Sequence, residues 1–181
     1  MPILSLFLIL SLSLLAWHAE GHDKPLFFEG EALTARASGG RAQTQDLKRY
    51  TVATWSGAAH LWWTGTKPGE ALDLTLAVPK AGVYRLGAGF TKAVDYGVFE
   101  VLLDGRSLAE GIDLFSKSVT HTGTLPLGGP LELTAGEHTL RFVVRGANEA
   151  AKKSYMLGLD YIVLAPGAEA DVAAVTKALS Q

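Results

Sequence analysis

Between Ala71 and Val78 the chain alternates: Leu72, Leu74, Leu76 and Val78 fall on one parity and Asp73 and Thr75 on the other. Successive side chains of an extended chain point to opposite faces, so this stretch predicts a strand with one buried side. The same two-residue period recurs in Val83 to Phe90, with Tyr84, Leu86, Ala88 and Phe90 in register. It returns in Glu137 to Val144, with His138, Leu140, Phe142 and Val144. Val98 to Leu103 and Ser154 to Leu164 read as further strands, and Leu26 to Ala35 as a first one carrying Glu29 and Glu31 on one side. Turn signals separate these runs: Ser38-Gly39-Gly40, Lys67-Pro68-Gly69, Pro79-Lys80-Ala81-Gly82, Asp104-Gly105 and Pro166-Gly167. Asp-Gly is the dipeptide of a tight hairpin, because both of its positions accept positive φ. Arg41 to Tyr50 is polar and reads as a surface connection, and Thr91 to Gly97 as a loop.

Many short strands, Gly and Pro punctuation and no sustained helical period predict an all-β antiparallel sandwich of jelly-roll type. Ala81-Gly82-Val83-Tyr84-Arg85-Leu86 and Ala135-Gly136-Glu137-His138-Thr139-Leu140 share one form, as two hairpins of similar build would. After Pro166, Val172, Val175 and Leu179 stand at helical spacing, which fits a short amphipathic helix or a frayed end. The expected organisation is therefore a leader over 1–21, a sandwich over 26–166 and a tail over 167–181.

Three of the four Trp fall between Trp55 and Trp63, a stretch that also holds Gly57 and His60 and is followed by Gly65. On a strand, Trp62 and Trp63 cannot enter the same core. Either the two indoles fill two packed layers, or one is buried while the other, with Trp62 the favoured candidate, is left as a flat platform. Such a ring face suits a sugar or another ring.

Composition narrows the setting. Ile3 to Trp17 is almost all apolar or Ser, too short for a membrane span of about 20 residues and fitting the apolar region of a secretory signal peptide. The expectation is a secreted or periplasmic protein with no stable membrane insertion once the leader is cut. Sixteen Lys and Arg against eighteen Asp and Glu leave a formal charge of −2, with no basic excess for nucleic acid. The absence of Cys excludes thiol catalysis and zinc-thiolate sites, and makes the fold rest on its apolar core, with or without a bound metal ion. No Gly-x-Ser-x-Gly elbow, His-Glu-x-x-His, P-loop or dinucleotide fingerprint occurs. Asp95, Glu100, Glu110 and Asp113 could supply the carboxylate pair of a glycosidase, as could many acidic surfaces.

Glu29-Gly30-Glu31, the Ala-Gly-x-Tyr-x-Leu strand, Val101-Leu102-Leu103-Asp104-Gly105, the Ala-Gly-x-His-x-Leu strand and Gly158-Leu159-Asp160-Tyr161-Ile162 occur in that order. This ordered set resembles the β-jelly-roll carbohydrate-binding modules of families 6, 35 and 36, a galactose-binding-like fold. With Trp55-Ser56-Gly57, Leu61-Trp62-Trp63 and Thr91-Lys92-Ala93-Val94-Asp95-Tyr96-Gly97, it is similar in particular to the modules attached to glycoside hydrolase family 172 proteins. The resemblance covers nearly all the chain after the leader. It implies a module exported without a catalytic domain, a carbohydrate as partner, and a partner hydrolase or a second copy as a possible associate. It also implies a structural calcium ion, held at the positions matching Glu29, Glu31 and Asp160. For the sugar it implies stacked aromatics and polar loop groups, here Trp55, His60, Trp62, Trp63, Asp95, Tyr96 and Asn148. His121 reads as a surface residue, His138 as packed in the sandwich, and Asp104 as a turn residue. The alternatives are a secreted β-sandwich that docks another protein, and a glycosidase-related enzyme.

Overall fold

Where the sequence alternates, the chain is extended. The computed structural model describes residues 24–179, so the expected leader lies outside the described residues. The strands are β1 (Leu26–Glu29), β2 (Ala35–Ala37), β3 (Arg41–Asp46), β4 (Ala59–Thr64), β5 (Ala71–Val78) and β6 (Gly82–Lys92). They continue as β7 (Val98–Leu103), β8 (Arg106–Asp113), β9 (Thr120–Leu133), β10 (Gly136–Gly146) and β11 (Leu157–Pro166). A helix, α1 (Val172–Leu179), follows. Among the described residues no helix is long and apolar enough to cross a membrane.

Two antiparallel sheets form the sandwich. One runs β3-β4-β11-β6-β9, with β1 also paired to β11; the other runs β2-β5-β10-β7-β8. The two similar hairpin starts thus feed different sheets, β6 in the six-stranded one and β10 in the five-stranded one. Leu72, Leu74 and Leu76 of β5 meet Leu140 and Phe142 of β10 and, across the layer, Leu86, Phe90 and Ile162; all are essentially inaccessible to water. The Asp104-Gly105 turn takes φ of 49° and 83°, the left-handed pair a two-residue hairpin requires.

β11 departs from simple alternation, because every residue from Leu157 to Ala165 is buried. A bulge between Leu159 and Tyr161 shifts its register against β6, and its outer side is covered as well as its inner one. α1 supplies much of that cover, packing Val172 and Val175 against Val163, Ala165 and Phe27. The residues expected as a tail therefore pack on the sandwich as a short amphipathic helix, with Thr176 rather than Leu179 on the buried side.

Three expectations change. Arg41–Asp46 is not a bare connection but an edge strand: its polar residues pair with β4 by backbone bonds, which ask nothing of side-chain polarity. The first extended run breaks after Glu29 into a 3-10 turn over Gly30–Ala32, so Glu31 reaches its place by a turn and not by strand alternation. A side chain at Gly30 would collide with the Leu159 carbonyl, and that close approach to β11 is why the chain turns at a glycine. Finally, β6 runs on through Lys92, into the stretch that reads as a loop.

Candidate functional site

The outer face of the six-stranded sheet is hollowed at two places, and glycines make the room. An added Cβ at Gly158 would lie 2.6 Å from His60 Cε1 and 2.9 Å from Tyr96 Cε2. At Gly89 it would lie 2.5 Å from the Tyr161 ring and 3.0 Å from His121. Rings therefore lie down on the backbone of β6 and β11.

The first hollow is a cleft of about 220 Å³ at the rim, lined among others by Gln45, Tyr50, Trp62, Asp95 and Tyr96. β4 places Trp62 and Trp63 on opposite faces. Trp63 is fully buried in the core and donates its indole N–H to Gly39 O at 2.8 Å. Trp62 is half-buried on the cleft side, and its indole N–H has no partner. An orphaned buried donor costs about 1–3 kcal/mol, which a ligand or a water molecule would relieve. The loop that carries Asp95 and Tyr96 is pinned by backbone bonds: Met156 N–H to Asp95 O at 3.2 Å, Gly97 N–H to Met156 O at 3.0 Å and Lys152 N–H to Val94 O at 2.7 Å. Burial, aided by the charge of Asp95, pushes the Tyr96 phenol well above its usual range, so it stays protonated. Arg49 stacks on the ring of Tyr50, 5.1 Å from its centroid.

Behind the cleft lies a buried polar chain. Trp55 Nε1–H donates to Thr91 Oγ1 at 2.8 Å, Thr91 Oγ1 lies 2.7 Å from His60 Nδ1, and His60 Nε2 lies 2.7 Å from Gln45 Oε1. Burial, with repulsion from His121, lowers the His60 pKa to about 4. His60 is thus inaccessible and fully bonded, which removes it from the ligand-facing set.

The second hollow, about 640 Å³, is walled by Phe27, Trp55, His121 and Tyr161 and carries Glu29 and Asp160. Its rings are contiguous: centroid distances are 6.2 Å for Trp55–His121, 5.8 Å for His121–Tyr161 and 5.1 Å for Phe27–Tyr161. The Trp55-Ser56-Gly57 turn caps the carboxylates. Ser56 N–H donates to both oxygens of the fully buried Asp160, at 3.1 and 3.2 Å, and Ser56 Oγ–H donates to Glu29 Oε1 at 2.6 Å. Glu31 stands beside Gly57. His121 is a correction to the surface reading: its side chain is only 10% exposed and Nε2 lies 3.0 Å from Asp160 Oδ2. Nδ1 accepts the Gly123 N–H at 2.9 Å, while Nε2, close to the carboxylate, makes no hydrogen bond.

These carboxylates bear on the expected calcium ion. Glu29 Oε2 and Glu31 Oε2 are buried without a hydrogen-bond partner. Burial raises the Glu31 pKa, opposed by its own backbone N–H and reinforced by Glu29 and Asp160. Acceptor-only oxygens that repel one another are the donor set of a hard cation. Among the described residues, however, no three His, Cys, Asp or Glu side chains close around a common point.

Other expected residues lie elsewhere. Asn148 is used in its own loop, donating to Asp113 Oδ2 at 2.6 Å and accepting the Ala150 N–H at 3.0 Å, so it is a turn residue and not part of either hollow. Glu100 pairs with Arg145. His138, buried as expected, bridges Asp104 Oδ2 at 2.6 Å and Thr134 O at 3.0 Å. The sequence reading missed Gln45 and Tyr50, since polar residues in a polar run carry no periodic signal.

No protein-family model and no curated protein matches the chain. Solved structures do. Xanthan lyase from Paenibacillus superposes with a TM-score of 0.68 over 81% of this chain, at 20% identity. The GH26-CBM35 β-(1,4)-mannanase of Podospora anserina gives 0.52 over 83%, at 18% identity. The chain spans only 14% and 29% of those two proteins. A family 35 carbohydrate-binding module from Clostridium thermocellum is covered over its whole length, with 80% of this chain, 13% identity and a TM-score of 0.49. The likeness to xanthan lyase and the mannanase is one of fold: this chain is an antiparallel β-sandwich of the jelly-roll kind, which each of those proteins contains as one part.

Proposed function

We propose that this protein is a non-catalytic carbohydrate-binding module that seats a sugar ring in the rim cleft. The observation that carries the reading is that Tyr50, Trp62, Asp95 and Tyr96 all line one small recess. Aromatic faces attract the C–H side of a sugar, and a carboxylate accepts its hydroxyl hydrogens. The cleft, about 220 Å³, is smaller than the roughly 300–1,000 Å³ of pockets for drug-sized ligands, which suits a chain end better than an internal stretch. The likeness in fold to parts of xanthan lyase and the mannanase supports the same reading. Export by the leader, a role beside a partner hydrolase and kinship with the family 172 modules belong to this proposal too, resting on the sequence motifs.

A glycan array probed with the wild-type protein and with Trp62→Ala and Asp95→Ala is the test. Binding to a glycan that falls at least tenfold in both variants, with the fold intact by circular dichroism, is the expected result. No binding to any glycan overturns the proposal. A solution dimer that dissociates on Trp62→Ala, with no glycan bound, would replace it with the protein-docking reading.

The orphaned oxygens of Glu29 and Glu31 favour an addition to this proposal: calcium at Glu29, Glu31 and Asp160, joining the first strand to the last. The expected sign is a lower melting temperature in chelator, restored by calcium. Equal melting under both conditions sinks it.

A further inference from the structure

An indole N–H can only donate and an amide oxygen can only accept, and these two ends together fix the direction of the buried chain behind the cleft. Trp55 Nε1–H gives its hydrogen to Thr91 Oγ1, and at the far end Gln45 Oε1 can only accept from His60 Nε2, so the Thr91 hydroxyl sends its own hydrogen to His60 Nδ1. Nδ1 therefore accepts, and the neutral ring holds its proton on Nε2. That N–H requires an acceptor, and the atom it meets at 2.7 Å is Gln45 Oε1. The Gln45 amide is thus held with its oxygen toward His60 and its NH2 group away from it. Gln45 lines the cleft, and no acceptor among the described residues takes that NH2. With His60 titrating at about 4, the one-proton ring on which this direction depends persists through neutral pH.

We infer that Gln45 is a specificity-determining donor of the cleft, with His60 as the positioning residue that orients it, and that the cleft selects neutral sugars over uronates. The inference rests on the reading of the cleft as a sugar site. Gln45 presents an N–H from β3, and Asp95 presents an acceptor from the loop after β6. A hydroxyl can satisfy either group, because it both donates and accepts. A uronate carboxylate has no hydrogen for Asp95 and is repelled by its charge. Arg49 is engaged with the Tyr50 ring and hydroxyl, the latter at 3.2 Å, and does not line the recess.

The test is calorimetric titration of the full chain with neutral gluco-, galacto-, manno- and xylo-oligosaccharides, their deoxy analogues, and glucuronate and galacturonate oligomers. At least one neutral sugar is expected to bind, and uronates at least tenfold more weakly. Gln45→Glu keeps an oxygen for His60 but turns the donor into an acceptor, and is expected to weaken binding about tenfold. In the wild type, removing one particular hydroxyl from the sugar is expected to cost about tenfold; in Gln45→Ala, removing that same hydroxyl costs nothing further. A purely structural role for Gln45 would not produce that coupling to one hydroxyl. Nitrogen-15 spectra are expected to show His60 protonated on Nε2. Protonation on Nδ1, uronates binding as well as neutral sugars, or equal hydroxyl losses in wild type and variant each overturn this inference while leaving the sugar site standing. A wild type that binds no sugar removes the sugar site, and this inference falls with it.

Discussion

On the outer face of the five-stranded sheet, β5 and β10 present Asp73, Thr75, Thr139 and Arg141. Arg141 holds Asp73 through two bonds, of 2.6 and 2.7 Å, and Arg145 beside them pairs with Glu100. On the outer face of the six-stranded sheet the corresponding positions are Gly87, Gly89, Gly158, His60, Trp62 and Tyr161. Here an added Cβ at any of the three glycines would strike a neighbouring side chain. The charged face is tied together by its own ion pairs. The glycine face lets rings sink onto the backbone, which opens two hollows and leaves the Trp62 N–H and two carboxylate oxygens without partners. Closely related strand geometry thus gives a solvated wall on one side and a recessed, incompletely satisfied surface on the other.

Substitutions can break this contrast, and the largest effect is expected at Trp55. Its ring walls the larger hollow while its N–H starts the chain behind the smaller one, so Trp55→Ala should destabilise by about 3–5 kcal/mol in urea melts. A loss below 1 kcal/mol would mean the glycine face does not depend on this ring. Next comes Gly158→Ala, which drives a methyl group into His60 and Tyr96; about 1–3 kcal/mol is expected, with the cleft deformed. Unchanged melting would show that the rings have room to retreat.

Two histidines sharpen the comparison through pH. His60, on the six-stranded sheet, has a folded pKa of about 4 against 6.5 for the free side chain. As pH falls from 6.5 toward 4 the unfolded chain takes up this proton first, so the stability present at neutral pH declines across that window. His138, on the five-stranded sheet, shifts the other way: burial lowers its pKa, but the Asp104 carboxylate and the Thr134 carbonyl together raise it above 6.5. Its contribution is complete below pH 6.5 and is lost as pH rises through the raised value. Urea melts from pH 5 to 9 should therefore peak between the two losses, and Asp104→Asn should flatten the alkaline side alone. An alkaline decline unchanged in Asp104→Asn would dismiss the His138 pair as its source. The smallest effect is expected at the charged wall, where Asp73→Ala should cost about 0.2–1 kcal/mol, as exposed ion pairs do, and leave glycan binding alone. A larger loss would mean that this face is not the independent solvated wall described above.

Much of the fold was legible in the chain because burial on one face writes itself as alternation. β5 spans the residues the pattern predicts, β7 likewise, and the hairpin at Asp104-Gly105 is where its turn chemistry puts it. β3 and β8 were not legible, since polar edge strands are held by backbone pairing that leaves no hydrophobic signature. β9, interrupted by Gly123, Pro126, Gly128 and Gly129, carries no sustained alternation to read. Of the candidate site, the opposition of Trp62 and Trp63 follows from strand geometry, and Asp95 with Tyr96 from a loop beside a strong strand. Glu29 and Asp160 were reached through the family resemblance, and the structure brings both to the larger hollow.

What the sequence alone determined is local: which residues alternate, where the chain turns, and which indole opposes which. Only the tertiary structure decided the rest. Ser56 meets Asp160 across 104 positions, and Trp55 meets Thr91 across 36. His60 became a buried link instead of a ligand group, His121 a neighbour of Asp160 instead of a surface residue, and Gln45 the partner of His60. Strand period is a property of neighbours in the chain. Hydrogen-bond direction is a property of neighbours in space, and here it runs between one indole N–H that can only give and one amide oxygen that can only accept.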